Sequence, residues 1–467
     1  MRLIRRLVEF YRDPVFITQL FHLAAPIALQ NLLTASLGMV SSVMVGQLGE
    51  AAMASVGLAG QVFFLLILIL FGIGSGSAMF TAQLWGNKDI VSLRKVLGLC
   101  LAMSLVTAFV FIIVCELIPD RIIGIFTIDS QVIAMGGDFL RIYAWAFLFF
   151  SITSGYAAIL RSIGAVKLPM LVTVSALALN IALSYILIFG AFGIPAMGIR
   201  GAAFSAVIAR VAECLALVLI TYWKKYPVAA TISELVSFDL SFFVRIFKPV
   251  FPVILNELLW SLAITTYNVV YARIGTPSIA AMNIVATVDN LALVPFFGLS
   301  SATAIISGHK IGAGEKDDAY RDVGKTLGLT MMTSLLVSAI VLSIKGVVIG
   351  LYKITPDVAF YADRALIILA LFIVVRSQNM VMVVGMMRSG GDTRYSLFLD
   401  GVIIWIVGVP MALLGGFFLH LPVYWVYCMV MLEEMTKCIL GLQRYFSRKW
   451  IHDLVQVVSL PSPTTFN

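Results

Sequence analysis

GEAAMASVGLAGQVFFLLILILFGIGSGSAMFTAQLWGNKD, residues 49–89, returns in outline as GTPSIAAMNIVATVDNLALVPFFGLSSATAIISGHKIGAGE, residues 275–315. Gly49, Ala54, Gly72, Ser75, Ala78 and Gly86 fall on Gly275, Ala280, Gly298, Ser301, Ala304 and Gly312 at a constant offset of 226 residues, and Gly98 falls on Gly324. Further out, Pro26 finds Pro252 at the same offset, and Arg161, Ser162 and Gly164 find Arg388, Ser389 and Gly391 after a slip of one residue. Self-similarity of this kind means two copies of one structural unit in a single chain.

Both copies are too apolar for water. The chain of 467 residues is 61% hydrophobic and 12% charged, with a mean hydropathy of +1.02, and a soluble fold of that composition would expose far too much apolar surface. A membrane span takes roughly 20 mostly apolar residues, and twelve such stretches are present, six in each copy. An even number returns the chain to its starting side before the second copy begins, so the copies are parallel repeats rather than inverted ones. The predicted fold class is an all-α integral membrane protein with twelve transmembrane helices in two six-helix lobes. The expected boundaries are an amphipathic cytoplasmic segment 1–15, an N-lobe 16–221, a cytoplasmic linker 222–245, a C-lobe 246–443 and a cytoplasmic tail 444–467.

The basic residues give the orientation, because Lys and Arg accumulate in short cytoplasmic loops. With the N-terminus inside, 22 of the 32 Lys and Arg lie on the cytoplasmic side when residues at span ends are counted with the nearest loop. Both termini are therefore expected in the cytoplasm of a multi-pass plasma-membrane protein. The net charge of +8 then reads as topology, not as a nucleic-acid footprint. The opening MRLIRRLVEFYRDP has no cleavage site and puts Leu3, Ile4, Leu7, Val8 and Tyr11 on one helical face, as a helix lying on the inner surface would. The tail SLPSPTTFN is expected to be disordered. The five cysteines stand singly in apolar stretches and read as packing residues.

An ionisable side chain at bilayer depth needs a partner, an aqueous cavity or a task. Arg141 is one turn from Asp138, Arg210 one turn from Glu213, and Lys437 within reach of Glu433 and Glu434, so these are expected to pair along their own helices. Glu257 is different. It lies about ten residues into its span with no basic residue nearby in sequence, where a carboxyl group can exchange a proton or hold Na⁺. Asp289, at similar depth in the following span, is the second candidate for that cation-coupling site. Arg376 is an isolated mid-span cation and a cleft candidate, Asp400 lies near Arg394, and for both structural or gating contacts between helices are expected. Asn180, Asn283, Tyr267 and Trp260 are candidates to line a substrate cleft, with Asn268, Phe63, Phe64 and Phe296 beside them. Each could equally be a packing contact between helices. Pro26 and Pro252 sit inside spans, where they allow bends. No P-loop, H-E-x-x-H or G-x-S-x-G occurs and four scattered histidines make no metal site. Neither an enzyme nor a cofactor is expected.

APIALQN (25–31), SVMVGQLG (42–49), AQLWGN (82–87), RSIGAVKLP (161–169), NIALSYILIFG (180–190), MGIRGAA (197–203), SGHKIGAG (307–314) and MRSGGDT (387–393) resemble the MATE family of multidrug and toxic compound extrusion transporters, NorM-like members in particular. The resemblance runs over nearly the whole chain. It implies two six-helix lobes and export of amphipathic, often cationic, compounds in exchange for Na⁺ or H⁺, by a monomer. Glu257 matches the acidic residue of the seventh helix in NorM-type members, and Asn180 the Asn of the fifth-helix N-x-x-x-D pattern. Three carboxylates that the family pattern leads one to expect are serines here, Ser41, Ser184 and Ser377. Coupling is therefore expected in the C-lobe. The alternative is a lipid-linked precursor or polysaccharide flippase of related fold. An ion channel or structural membrane subunit is a third reading, which ion flux without counter-transport would favour.

Overall fold

Long apolar stretches in a medium without water must satisfy every backbone polar group internally, and helices do this. The computed structural model describes residues 13–459, and every regular element among them is helical. The expected inner-surface helix before residue 13 and the tail from 460 lie outside the described residues. The first six long helices are α1 (Pro14–Gly46), α2 (Glu50–Gly86), α3 (Ile90–Leu117), α4 (Ser130–Ser162), α5 (Lys167–Phe189) and α6 (Ile199–Trp223). The second six are α7 (Leu240–Ile274), α8 (Thr276–Gly312), α9 (Lys316–Gly350), α10 (Pro356–Met387), α11 (Thr393–Phe418) and α12, made of Val423–Val430 and Leu432–Phe446 around a turn at Met431. The six-plus-six repeat is thus present in the elements themselves. Ten of these helices are long and apolar enough to cross a membrane by length and composition.

The chain divides into two compact units, residues 29–250 and residues 13–28 with 251–459 among the described residues. The divisions fall inside α1 and α7, within three residues of Pro26 and Pro252, and not in the linker. Pro26 and Pro295 lie within continuous helices.

In the first unit the short helix Ile232–Val236 lies on α3, capped by Thr231, whose hydroxyl accepts from the amide of Glu234 while the Glu234 side chain accepts from the amide of Thr231. Arg94 of α3 reaches Glu234 at 2.6 Å, and the Thr231 amide and this guanidinium hold the Glu234 carboxyl below its usual range. The approach requires a glycine. A Cβ on Gly98 would stand within the carbonyl of Leu235. Gly98→Ala is therefore expected to lower stability by about 1–3 kcal/mol through overpacking. Thermal unfolding in detergent checks this, and an unshifted transition would mean that the short helix lifts off α3 freely.

The second unit packs around Tyr267, Tyr271, Val285, Leu366, Leu369, Ile373, Ile404 and Val426 of α7, α8, α10, α11 and α12. α10 ends in a π-helical stretch, Val381–Met387, and α11 contains three, Leu397–Val402, Ile404–Gly408 and Leu414–Phe418. Such widened turns gather at functional sites. Here they carry Asp400 and lead directly into Arg388.

Candidate functional site

In the unit that contains residues 251–459, the buried charges of five helices join into one network. Glu257 of α7 is 9% exposed and accepts from Arg388 Nη2 at 2.5 Å. Its neighbour Asn256 donates through Nδ2 to Asp400 Oδ2 at 2.9 Å, and Asp400 Oδ1 accepts from Lys437 Nζ at 3.0 Å. Lys437, 2% exposed, stands 3.5 Å from Glu433, one helical turn before it on α12. Glu433 Oε2 in turn accepts from the Tyr267 hydroxyl at 2.8 Å. The adjacent Glu434 turns the other way, accepting from Asn379 Nδ2 at 2.6 Å and standing 3.6 Å from Arg376. Arg376 donates to Asp289 of α8.

The helices approach closely enough for this because Gly408 of α11 has no side chain. A Cβ there would overlap the Tyr267 hydroxyl and the Glu433 carboxylate. Arg388 is set by the loop after α10, which the segment after α12 holds down. His452 donates its amide to the Gly390 carbonyl at 2.8 Å, and the Trp450 ring is buried against Gly390. In the same loop burial would raise the Asp392 carboxyl, but His452 at 3.7 Å and Arg444 at 2.6 Å hold it below its usual range.

Charge balance defines what the network can do. Five carboxylates (Glu257, Asp289, Asp400, Glu433, Glu434) face three permanent cations (Arg376, Arg388, Lys437). Full ionisation would leave two uncompensated negative charges in a buried interior, which is costly. Protons or a small monovalent cation bring the set to neutrality.

Arg376 and Asp400 make contacts between helices, as expected of them, Arg376 with Asp289 and Asp400 with Lys437 and Asn256. One local pairing is corrected. Arg141 stands 3.9 Å from Asp120, while Asp138 takes Arg200 at 2.7 Å, because α4 presents the two to different neighbours. Arg210 and Glu213 do pair locally, at 2.7 Å. Asp289 and Glu257 do not touch. They occupy opposite ends of the network. Arg388, Asn256 and Asn379 were not among the candidates. Arg388 carried one signal, its place as the repeat counterpart of Arg161.

The other candidates lie elsewhere. Trp260 packs against the core around Tyr267, Phe296 is fully buried, and Asn283 and Phe64 are exposed. In the unit of residues 29–250, Asn180 faces Tyr143, Arg210 and Glu213 across a cavity of about 60 Å³, its Oδ1 buried with no hydrogen-bond partner among the described residues. Phe63 stacks on Phe147 at 5.6 Å, and the Arg210 guanidinium lies 4.7 Å over the Phe150 ring. The serines at the three positions of missing acids each have a hydrogen-bond partner. Ser184 bonds Ser205 at 2.7 Å, Ser41 bonds the Leu37 carbonyl at 3.5 Å, and Ser377 that of Val374 at 2.9 Å. Cys100, Cys115 and Cys214 are buried and all five cysteines are free.

The MatE family model matches residues 26–186 and again residues 252–414. This chain belongs to the MATE family. The two matches begin 226 residues apart, the offset of the internal repeat. Among curated relatives, a probable multidrug resistance protein of Bacillus subtilis, YoeA, is 27% identical over 390 residues, 83% of this chain and 84% of that one. A probable multidrug resistance protein NorM of Thermotoga maritima is 24% identical over 433 residues, 92% of each chain. The Vibrio cholerae MATE transporter VcmN, solved in a bent form, is 18% identical and superposes with a TM-score of 0.84 over 94% of this chain and 99% of that one, which shows a common fold. The protein is a NorM-like MATE transporter with multiple membrane-spanning helices.

Proposed function

We propose that this protein is a secondary active multidrug efflux antiporter, exporting amphipathic and cationic compounds in exchange for Na⁺ or H⁺. The observation that supports this reading is the excess of two acidic groups in the buried network of Glu257, Asp289, Asp400, Glu433 and Glu434. In the outward-facing state H⁺ or Na⁺ would join the network at Glu257, with Asp289 as the second acceptor, and its arrival would weaken the hold on a cationic drug. Lobe movement would then present the site to the cytoplasm, where the ion leaves and drug rebinds. One gradient can drive the other only if the two ligands compete or favour different states. The repeat copies, 16–221 and 246–443, would be the moving lobes of a monomer in the plasma membrane with both termini inside. No chemistry on the substrate is needed and no cofactor. The flippase alternative would need free cations for a pyrophosphate headgroup, and Arg376, Arg388 and Lys437 are each engaged by carboxylates.

The test is ethidium export from energised vesicles given a Na⁺ gradient or a pH gradient in turn. Export with one gradient and not the other is expected, and it names the coupling ion. Absence of export with both would remove the drug-antiport reading.

A further inference from the structure

Between α5 and α6 an open groove of about 450 Å³ runs along the first unit, lined by Leu168, Leu171, Val172 and Leu179 on one side and Ala212 and Ala216 on the other. That volume lies within the range of ligand pockets, roughly 300–1,000 Å³. Leu168 to Leu179 is eleven residues of helix, about 16 Å at the helical rise, close to the depth of one leaflet of a hydrocarbon core of about 30 Å. Glu213 reaches the inner end of the groove, but Arg210 neutralises it at 2.7 Å, so the wall carries no net charge there. The outer end is different. Lys167 opens α5, Lys224 and Lys225 follow α6, all three are exposed, and none makes an ion pair among the described residues. Trp223, 80% exposed, stands beside them at the level where aromatic rings anchor helices to the membrane interface.

We infer that this groove is a binding site for an anionic phospholipid, an acyl chain lying between α5 and α6 and the phosphate held by Lys167, Lys224 and Lys225. The charge complementarity selects the occupant. Basic pockets between helices at the membrane surface take anionic headgroups, and each lysine near such a surface is worth about 1 kcal/mol. A zwitterionic lipid would fill the apolar part equally well and gain less from the lysines. On the topology proposed above the lipid belongs to the cytoplasmic leaflet.

The experiment uses the full chain in nanodiscs of equal parts phosphatidylglycerol and phosphatidylcholine, with bound lipid counted by native mass spectrometry. Transport is not read out, so the result is independent of the antiport assignment. Wild type is expected to retain phosphatidylglycerol over phosphatidylcholine by at least about fivefold, the equivalent of one lysine. The triple variant Lys167→Gln, Lys224→Gln, Lys225→Gln is expected to fall to parity. Ala216→Phe, which fills the groove and leaves the lysines, is expected to lose both lipids. Parity or no retained lipid in the wild type, an undiminished preference in the triple variant, or full retention by Ala216→Phe would each overturn the assignment.

Discussion

Glu257→Gln is expected to stop gradient-driven ethidium export, leaving only the leak of protein-free vesicles. The substitution keeps the side-chain volume and removes the charge that, in the proposed function, takes up and releases the ion. It also deprives Arg388, 3% exposed, of the carboxylate that faces it at 2.5 Å. Breaking a buried pair by removing one partner costs about 3–5 kcal/mol, so lost transport in this variant could be lost folding. The double variant Glu257→Gln, Arg388→Gln separates the two. It removes both charges together, and is expected to unfold at a temperature closer to wild type while exporting nothing. Export by the double variant at the wild-type rate would reduce Glu257 to a structural partner of Arg388.

Lys437→Met carries the second large effect, on stability. Lys437 is 2% exposed and lies between Asp400 at 3.0 Å and Glu433 at 3.5 Å. Methionine preserves most of the volume of the stem and packs well, so the loss is electrostatic. Two carboxylates are left in low dielectric with their shared cation gone, a cost of about 3–5 kcal/mol. A fall in the thermal transition larger than that of Gly98→Ala is expected in detergent. Adding Asp400→Asn is expected to recover much of it, because the amide keeps a hydrogen-bonding contact to Asn256 and removes one of the two charges. A Lys437→Met protein as stable as wild type would show that water or an ion already compensates Asp400 and Glu433.

The elements that were legible in the sequence are those written in local periodicity. Twelve apolar stretches of spanning length, six per copy, correspond to α1–α12, and the 226-residue offset reappears as two matches to one family. Pairs one turn apart were partly legible. Arg210 with Glu213 and Lys437 with Glu433 follow from helix spacing, whereas Arg141 and Asp138 go to different neighbours although their spacing is just as good. Helical spacing brings two residues near each other, and the neighbouring helix decides which of them it claims.

Hydropathy and self-similarity by themselves determined that this chain is a two-copy helical membrane protein, and isolated charge in the apolar spans singled out Glu257, Asp289 and Arg376 as candidates. Only the tertiary structure decided who meets whom. Arg388 comes to Glu257 across 131 residues, Arg376 to Asp289 across 87, and Asp400 to Asn256 across 144. The cost of leaving a charge alone in a low-dielectric interior forces each one to find a partner. Which partner it finds depends on the approach of helices distant in the chain, and no local window of sequence contains that information.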